Sequence, residues 1–590
     1  MTKEKKVTLW EASKKINGYI MKCCPIYYIV VNLVGILHGS LFGFAVIVTQ
    51  FVFDNVTEFT QGQRTIWEAV RAILIFALVL MLKEILNGMH NFQAGMLMNR
   101  VSGFIRKLIA QKAAKLKPIL FEDSKVLDEI NKASESAGNA PEIVMDISGM
   151  FTFYLAYVLV ISFYLYSLSP VLLLAIPLAF IPKFITTLTK TSLYSKLEQK
   201  SAPLRREYEF YEQAMTNRQF FKETRILGIF KHFNKKYLNT IKLLNRETWR
   251  TDSRSAMIDL SMSVLTVLGY LGILYLLFTN LRVGIISVGA FAAVFGGITN
   301  LIDLMEEIIF GTDDILKNMG KVSFLIKFFE LPEKTGGEKE IDWTGDIEFE
   351  KVNFKYPNAT KKSLNDLTLT IKAGETIAIV GENGSGKTTL AKVLMGIYEP
   401  TSGGITVGGV EVKDVDLDSR FKGISAVFQD FQRYQLTLKE NIELADIHAT
   451  GSIDEVMKQA GVLLDGESYP NGIETMLSRE FEGVDISGGQ WQRVAIARGL
   501  YRPHNLIILD EPTAAIDPIE ENRLYENFMQ ITKNKTAVII THRLASTRLA
   551  DRIIVMEEGQ IVEDGNHQGL IEKNGLYAKM FKAQEKWYVS

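Results

Sequence analysis

This sequence contains few cysteines and has almost no net charge. The 590 residues include two cysteines, Cys23 and Cys24, which are neighbours and cannot form the disulfide framework of a small secreted domain. We therefore expect a compartment that keeps thiols reduced. The formal net charge is −1, so the chain lacks the basic excess that is typical of nucleic-acid binding. The charged N-terminus also lacks a small-residue cleavage site after a short apolar run, and we expect no removed signal peptide.

Long hydrophobic runs, in contrast, dominate the first half of the chain. A segment of about twenty apolar residues can cross the hydrocarbon core of a bilayer. The sequence predicts about six such spans, at residues 26–53, 68–92, 143–167, 169–188, 257–279 and 283–303. The second is the least uniform, because Lys83 and Glu84 interrupt it. These two side chains either pair with each other near the inner headgroups or face the interior of the bundle.

The distribution of basic residues predicts the orientation of the spans. Lysines and arginines cluster in the N-terminal tail and in the segments that follow the second and fourth spans. The connection Asp54 to Gln63 and the turns near residues 169 and 279 are shorter and poorer in them. By the positive-inside rule, the short connections face outside and both termini lie in the cytoplasm.

The two basic segments are too long to be simple loops. Val101 to Leu120 and Ser195 to Lys242 carry apolar residues at helical spacing among charges, so we expect helices that extend into the cytoplasm. In this region, Phe121 to Ala133 and Tyr208 to Gly228 carry aromatic residues among charges. Each is either a docking surface or a solvated helix corner.

A stretch rich in proline, glycine and charge, Glu330 to Asp342, separates this part from one in which short strands alternate with amphipathic helices. We therefore predict three parts. They are a helical membrane domain at residues 1–325 with cytoplasmic extensions, a linker at 326–342, and an α/β domain at 343–590.

The α/β domain contains a phosphate-binding loop motif. The predicted strand Glu375 to Val380 is followed by GENGSGKTT and then by a helix, which is the context that a P-loop requires. The glycines allow backbone N–H groups to surround the β-phosphate of ATP, while a lysine reaches the β- and γ-phosphates and a threonine hydroxyl binds Mg²⁺. The candidate residues are Gly381, Glu382, Asn383, Gly384, Ser385, Gly386, Lys387, Thr388 and Thr389.

A second motif supports nucleotide chemistry in the same domain. The apolar segment NLIILDEPT, residues 505–513, reads as a buried strand that ends in Asp510 and Glu511. Asp510 is the candidate for the Mg²⁺ shell, and Glu511 for polarising the attacking water. Two acids at a strand end are common, but together with a P-loop they favour an ATPase.

The segment DISGGQWQRVAIARGL, Asp485 to Leu500, resembles the signature of ATP-binding cassette (ABC) proteins, and it lies between the P-loop and the Asp510–Glu511 strand in the order that this family requires. Ile486 replaces the usual leucine, a swap that conserves volume. With six spans and one nucleotide-binding domain, the chain resembles an ABC half-transporter of the type I, or type IV, exporter fold. That fold is an α-helical six-span membrane domain followed by an α/β P-loop domain.

The resemblance implies further site residues. Tyr356 matches the aromatic residue that stacks on adenine, Gln429 the glutamine that senses Mg²⁺, and His542 the histidine that contacts the γ-phosphate. The residues that would face the phosphates of a second subunit, or cross to it, are Ser487, Gly488, Gly489, Gln490 and Asp517. The resemblance also implies a homodimer that holds ATP between its subunits. By the same resemblance, the aromatic segments at Phe121 to Ala133 and Tyr208 to Gly228 look like coupling helices.

The expected location is the bacterial cytoplasmic membrane, but the cargo is less defined. SGGQWQR and FQRYQLTLKENI, residues 431–442, are similar to segments of bacterial exporters of modified peptides such as lantibiotics and other bacteriocins. A lipid or multidrug exporter, an ATP-gated channel and a non-transporting regulatory ATPase remain as alternatives. We expect no leader-peptide cleavage, since no protease domain precedes the first span.

An acidic stripe lies at the inner end of the sixth predicted span. At helical spacing, Asp303, Glu307 and Asp314 fall near one line, with Glu306 and Asp313 beside it. The stripe is either a solvated or salt-bridged helix face or an electrostatic funnel that concentrates a cationic peptide.

Overall fold

The computed structural model describes residues 7–217, 219–334, 336–449, 451–512 and 518–589. The chain forms two compact units. Unit 1 comprises Met1–Ala113 and Glu129–Leu331, and unit 2 comprises Ala114–Asp128 and Pro332–Ser590. The short segment Ala114–Asp128 therefore belongs with the C-terminal part of the chain.

Unit 1 is helical. Its helices, two of which extend into Ala114–Asp128, are α1 Leu9–Cys23, α2 Pro25–Thr60, α3 Ile66–Lys115, α4 Ser124–Gly149, α5 Leu155–Leu168, α6 Pro170–Thr216, α7 Phe221–Ile226, α8 Phe230–Arg282 and α9 Val288–Glu330. A π-helical turn, Met150–Tyr154, joins α4 to α5. Proline occupies the first turn of α2 and α6, where its missing N–H has no helical partner to lose.

Four helical segments among the described residues are long and apolar enough to cross a membrane: Pro25–Thr60, Val126–Leu168, Phe230–Arg282 and Val288–Thr312. They contain the first, third and fifth predicted spans and most of the sixth. The spans predicted at 68–92 and 169–188 lie on α3 and α6, and for these two the crossing stays a prediction. Large apolar side chains of the apolar helices are exposed, among them Phe163 and Leu268, as on a lipid-facing surface.

The predicted cytoplasmic helices are interrupted. The helix predicted to reach Leu120 ends at Lys115, and a 3₁₀ turn follows at Pro118–Glu122. Lys117 is extended, because a proline disfavours helical backbone in the residue before it. The helix predicted for Ser195 to Lys242 is likewise divided into the end of α6, the short α7 and the start of α8, with Gly228 at a positive φ of 63° before α8.

Glycines on one face of α2 allow its close packing within unit 1. Gly35, Gly39 and Gly43 lie one turn apart and face the π-helical turn and α5. A Cβ atom on Gly39 would overlap the backbone carbonyl of Phe153. Backbone atoms cannot move aside as a flexible side chain can, so the approach of the two helices depends on this glycine.

We expect Gly39→Ala to lower the free energy of unfolding by about 1–3 kcal/mol, the usual cost of overpacking. The matched control is Gly95→Ala on α3, where an added Cβ meets no atom within 4 Å and alanine gains helix propensity. Thermal melting of both purified variants in detergent measures the difference. Equal melting temperatures for the two would show that α2 does not need the glycine.

The described part of unit 2 forms two sheets. Their strands are β1 Ile347–Phe354, β2 Leu364–Ile371, β3 Thr376–Gly381, β4 Ser402–Val407, β5 Val410–Glu411, β6 Gly423–Val427, β7 His504–Asp510, β8 Thr536–Ile540, β9 Arg552–Glu557 and β10 Gln560–Gly565. The smaller sheet is antiparallel with order β2-β1-β4-β5. The larger has order β10-β9-β3-β8-β7-β6, and its pairings from β9 to β6 are parallel.

Unit 2 also contains helices, some of which pack on the larger sheet. They are α10 Lys387–Leu394, α11 Leu417–Arg420, α12 Leu438–Glu443, α13 Ile453–Gln459, α14 Gly488–Tyr501, α15 Pro518–Ile531, α16 His567–Glu572 and α17 Leu576–Val589. Every residue of β3 and β8 is buried, as expected for parallel strands that are covered on both faces. Because the strands are parallel, the carboxyl ends of β3, β7 and β8 meet at one edge, which is where ligands bind in sheets of this kind.

The segment Ala114–Asp128 packs into unit 2 by specific contacts. The backbone N–H of Lys334 donates to the carbonyl of Lys115 at 2.7 Å, and Ile119 packs against the core that includes β1 to β4. The Glu122 carboxylate accepts a hydrogen bond from the Tyr398 hydroxyl and lies 3.5 Å from the ammonium of Lys392 on α10. Part of the predicted Phe121 to Ala133 segment is thus joined to the helix that follows the P-loop.

Candidate nucleotide site

The loop between β3 and α10 is held in a conformation that glycine makes accessible. Gly386 has a φ of 104°, and a Cβ there would lie 2.6 Å from the carbonyl oxygen of Ser363. The Lys387 side chain is buried, and its ammonium donates to the carbonyls of Gly381 at 2.9 Å and Glu382 at 3.0 Å. Burial lowers the pKa of Lys387, while the carboxylates of Glu511 and Asp510 oppose this shift.

Asp510 lies at the end of β7, opposite the start of α10. Its carboxylate accepts a hydrogen bond from the Thr388 hydroxyl at 3.4 Å. Burial raises the pKa of Asp510 to about 6; the bond from Thr388 opposes the shift and Glu511 adds to it. A cation bound beside this carboxylate would offset the cost of ionising it.

Glu511 has both carboxylate oxygens engaged. Gln429 donates to one from its amide nitrogen at 3.0 Å, and Nε2 of His542 lies 2.7 Å from the other. Glu511 has a positive φ of 49°, and its backbone N–H donates to Ile540 at the end of β8. Burial and nearby Lys387 lower the pKa of His542, against the opposing effect of Glu511. Three residues predicted from separate motifs therefore form one cluster.

A cavity of about 510 Å³ lies over the loop and this cluster. The predicted residues that line it are Asn383, Gly384, Gly386, Lys387, Thr388, Thr389, Gln429, Glu511 and His542. Ser363 also lines it and was not predicted. No motif marks this serine, which lies directly before β2 and approaches the loop through tertiary packing.

Tyr356 lies beside the same loop. Its hydroxyl is 3.3 Å from the hydroxyl of Thr389, and its ring packs edge-on against Phe354 and Tyr398 at centroid distances of 5.0 and 5.8 Å. Tyr398 is the residue that bonds to Glu122. An aromatic cluster therefore connects the side of the loop to the segment Ala114–Asp128.

The signature residues are at the start of α14. Ser487 is its N-cap and forms a capping box with Gln490, in which each side chain bonds to the other's backbone N–H at 3.3 and 2.8 Å. Gly488 and Gly489 form the first turn. None of these four residues lines the cavity formed by the described part of the chain. Asp517 lies outside the described residues.

The loop has the features that a nucleotide phosphate needs. The predicted Ser385 is an exception, because its side chain is buried and does not line the cavity. Among the described residues, the Lys387 ammonium has hydrogen bonds only to backbone carbonyls, so its charge is available to an anion. The hydroxyl and carboxylate of Thr388 and Asp510 are oxygen donors of the kind that Mg²⁺ prefers.

Fold and site together define a membrane protein with a P-loop ATPase unit. Residues 364–514 match the family model described as ABC transporter. The chain is 30% identical over 514 residues to the subtilin transport ATP-binding protein of Bacillus subtilis, covering 85% of this chain and 83% of that protein. It is 25% identical over 593 residues to the nisin transport ATP-binding protein of Lactococcus lactis subsp. lactis, covering 97% and 95%.

Two further proteins are similar to the chain in sequence or in fold. An ATP-dependent lipid A-core flippase of Methylobacillus flagellatus is 34% identical over 306 residues, which is 51% of this chain and 52% of the flippase. A solved bacterial Atm1-family ABC exporter with ATP bound has the same fold, with a TM-score of 0.78, 20% identity, and coverage of 94% and 98%. The chain belongs to the ABC transporter family, as an exporter that binds and hydrolyses ATP.

Proposed function

We propose that this exporter moves a modified or antimicrobial peptide out of the bacterial cytoplasm. The observation that carries the proposal is the extent of the similarity to the subtilin and nisin transport proteins. Unit 2 holds less than half of the chain, so a 514-residue alignment must include much of unit 1. Cargo contacts belong to the membrane-spanning part of a transporter, so similarity there bears on cargo more directly than similarity in the ATPase unit.

The proposed roles in hydrolysis follow from the geometry of unit 2. The P-loop backbone and Lys387 hold the phosphates, and Tyr356 stacks on the adenine. Thr388, Asp510 and Gln429 would hold Mg²⁺, which would neutralise charge on the β- and γ-phosphates. Glu511 orients a water and accepts its proton, and His542 contacts the γ-phosphate.

The proposed assembly is a homodimer in which each nucleotide lies between two chains. Ser487 to Gln490 form a helix N-terminus, which favours anions, yet they do not line the cavity of their own chain. A second copy would bring its signature residues to that cavity, and Asp517 belongs to the same contact. Closure around ATP and release after hydrolysis then alternate.

The proposed orientation places both termini and the ATPase unit in the cytoplasm, with the short connections outside. The bond of Glu122 to Tyr398 supports a role for Ala114–Asp128 in transmitting the state of the nucleotide site. A lipid or multidrug cargo is the second candidate, because the flippase match is 34% identical, although it covers only half of each chain.

Transport into inside-out vesicles tests the cargo. We expect ATP-dependent uptake of a lanthionine-containing peptide by vesicles with the native exporter, and none with Lys387→Ala, which removes the phosphate-binding ammonium. Labelled lipid and a multidrug dye are assayed in the same vesicles. Uptake of either without peptide uptake would replace the peptide proposal, and an ATP-dependent ion conductance across a planar bilayer would identify a channel instead.

A further inference from the structure

A second cavity lies within unit 1. It has a volume of about 520 Å³ and is lined by α2, α3, α4, the π-helical turn and α9. Among the described residues, its walls carry four carboxylates, from Glu84, Asp146, Asp303 and Glu307, and one ammonium, from Lys83. Ionisable side chains in membrane-spanning helices are costly, and they mark functional sites more often than structural ones.

Asp303 and Glu307, like Asp146, are not neutralised by a basic side chain among the described residues. Glu307 accepts a hydrogen bond from the Tyr154 hydroxyl at 3.2 Å, and among the described residues Asp303 has neither a hydrogen bond nor an ion pair. Glu84, in contrast, is paired with Lys83 at 3.2 Å. Asp303 and Glu307 therefore do not form a salt-bridged helix face with the other described residues, which was one of the alternatives for this stripe.

The chain already holds one cation in this cavity. The Lys83 ammonium lies 4.8 Å from the centre of the Phe42 ring and beside Glu84, so it is held by an aromatic face and a carboxylate. The same two kinds of group, Tyr154 and Phe153 with Asp303 and Glu307, occur on the cavity wall without a cation. The π-helical turn, a feature that often occurs at functional sites, carries both aromatic residues.

A buried histidine on the cavity wall provides an independent observation. His38 is only 6% exposed, and its Nδ1 atom has no hydrogen-bond partner among the described residues. Its ring is fixed by Phe153 at a centroid distance of 4.7 Å. Nδ1 of His90, also on the wall, is likewise without a partner. Buried polar atoms are normally satisfied, so these two nitrogens are unused hydrogen-bonding groups at the cavity wall.

We propose that this cavity binds a cationic group of the cargo, an ammonium or guanidinium on a peptide side chain. Asp303 and Glu307 supply the negative charge, Phe153 and Tyr154 the aromatic faces, and His38 a neutral acceptor. Both carboxylates are exposed, so a ligand cation can reach them, and a hydrogen bond between an ammonium and a carboxylate is stronger than one between neutral groups. The proposal rests on the proposed function, since it defines which peptides the exporter selects.

Peptide binding by the purified exporter in detergent tests the site. The probes are a synthetic lanthionine peptide with three lysines and the same peptide with its lysines acetylated. We expect the native protein to bind the cationic peptide about tenfold more tightly, the effect of one charge-assisted contact. Asp303→Asn with Glu307→Gln should abolish this preference while binding of the acetylated peptide stays the same.

Two further variants make the result specific. Glu135→Gln with Glu198→Gln removes two exposed charges from unit 1 outside the cavity, and it should keep the full preference. His38→Phe keeps the ring packing but removes the acceptor, and it should weaken binding of the cationic peptide. If the double variant does not fold, as judged by its melting temperature, Asp303→Asn alone replaces it, because Asp303 has no hydrogen bond or ion pair to lose among the described residues.

The outcomes separate this inference from the proposed function. A preference for the cationic peptide that survives the cavity substitutions, or that is lost equally in the Glu135 and Glu198 control, overturns the site while the peptide exporter stands. Failure of the native protein to bind or transport either peptide overturns the proposed function, and this inference with it.

Discussion

Purified Glu511→Gln protein is expected to bind ATP with native affinity and to hydrolyse it about 10² to 10⁴ times more slowly, the usual contribution of a general base. The amide has the shape of the carboxylate but accepts a proton poorly. Gln429 and His542 contact the two carboxylate oxygens of Glu511, and an amide retains one of these acceptors. The phosphate-binding groups on α10 and its preceding loop are unchanged, so binding persists.

Phosphate release and binding of a fluorescent ATP analogue measure the two quantities separately. Glu572→Gln, an exposed acid on α16, is the matched control and should behave as the native protein. Hydrolysis near the native rate in the Glu511 variant would remove Glu511 from the reaction. Loss of ATP binding would assign the residue to the binding site instead.

Cross-linking across two chains is expected to show the second large effect. One chain carries Ser487→Cys and the other Asn383→Cys, both with Cys23 and Cys24 replaced by serine. With ATP, in the slow Glu511→Gln background, most of the dimers that contain one chain of each kind should become covalent under mild oxidation. Without ATP, little should form. Ser487 and Asn383 are both exposed in the single chain, and the signature residues do not line the cavity of their own chain.

A mixture of Glu572→Cys with Asn383→Cys is the control for random collision. Because each chain carries one cysteine, a covalent dimer reports only contact between chains. Efficient cross-linking in the control, or none with Ser487→Cys in the presence of ATP, would contradict a nucleotide held between two copies.

Much of the nucleotide site was predictable because its parts are coded locally. The spacing of the glycines before Lys387 predicts a loop that needs φ values which glycine adopts readily. The apolar run before Asp510 predicts a buried strand that ends at this loop. The proximity of Gln429, Glu511 and His542 was expected only through the resemblance of their motifs to those of ABC proteins. The parallel order of the sheet explains it, since β6, β7 and β8 are neighbours and end at the same edge.

Other features depend on tertiary packing and have no local signal. Ser363 reaches the cavity because Gly386 lies against its carbonyl, and nothing in the sequence around it marks that approach. The cavity residue His38 lies in an ordinary apolar run. The acidic stripe on α9 was predicted, but its relation to Tyr154 required the turn at Met150–Tyr154, which interrupts the regular hydrogen bonding of an otherwise continuous helix.

Because Ala114–Asp128 belongs to unit 2, the ATPase part of this exporter cannot simply be exchanged for that of a related exporter. A soluble fragment that starts at Pro332 would leave Tyr398 and Lys392 without their partner Glu122, and Ile119 would be missing from its core. A hybrid that joins a foreign ATPase part to this membrane part inherits the same mismatch. The membrane part and the ATPase part of such exporters are therefore not interchangeable at a single junction. An exchange of the ATPase part between relatives has to include both Ala114–Asp128 and the chain from Pro332 onward.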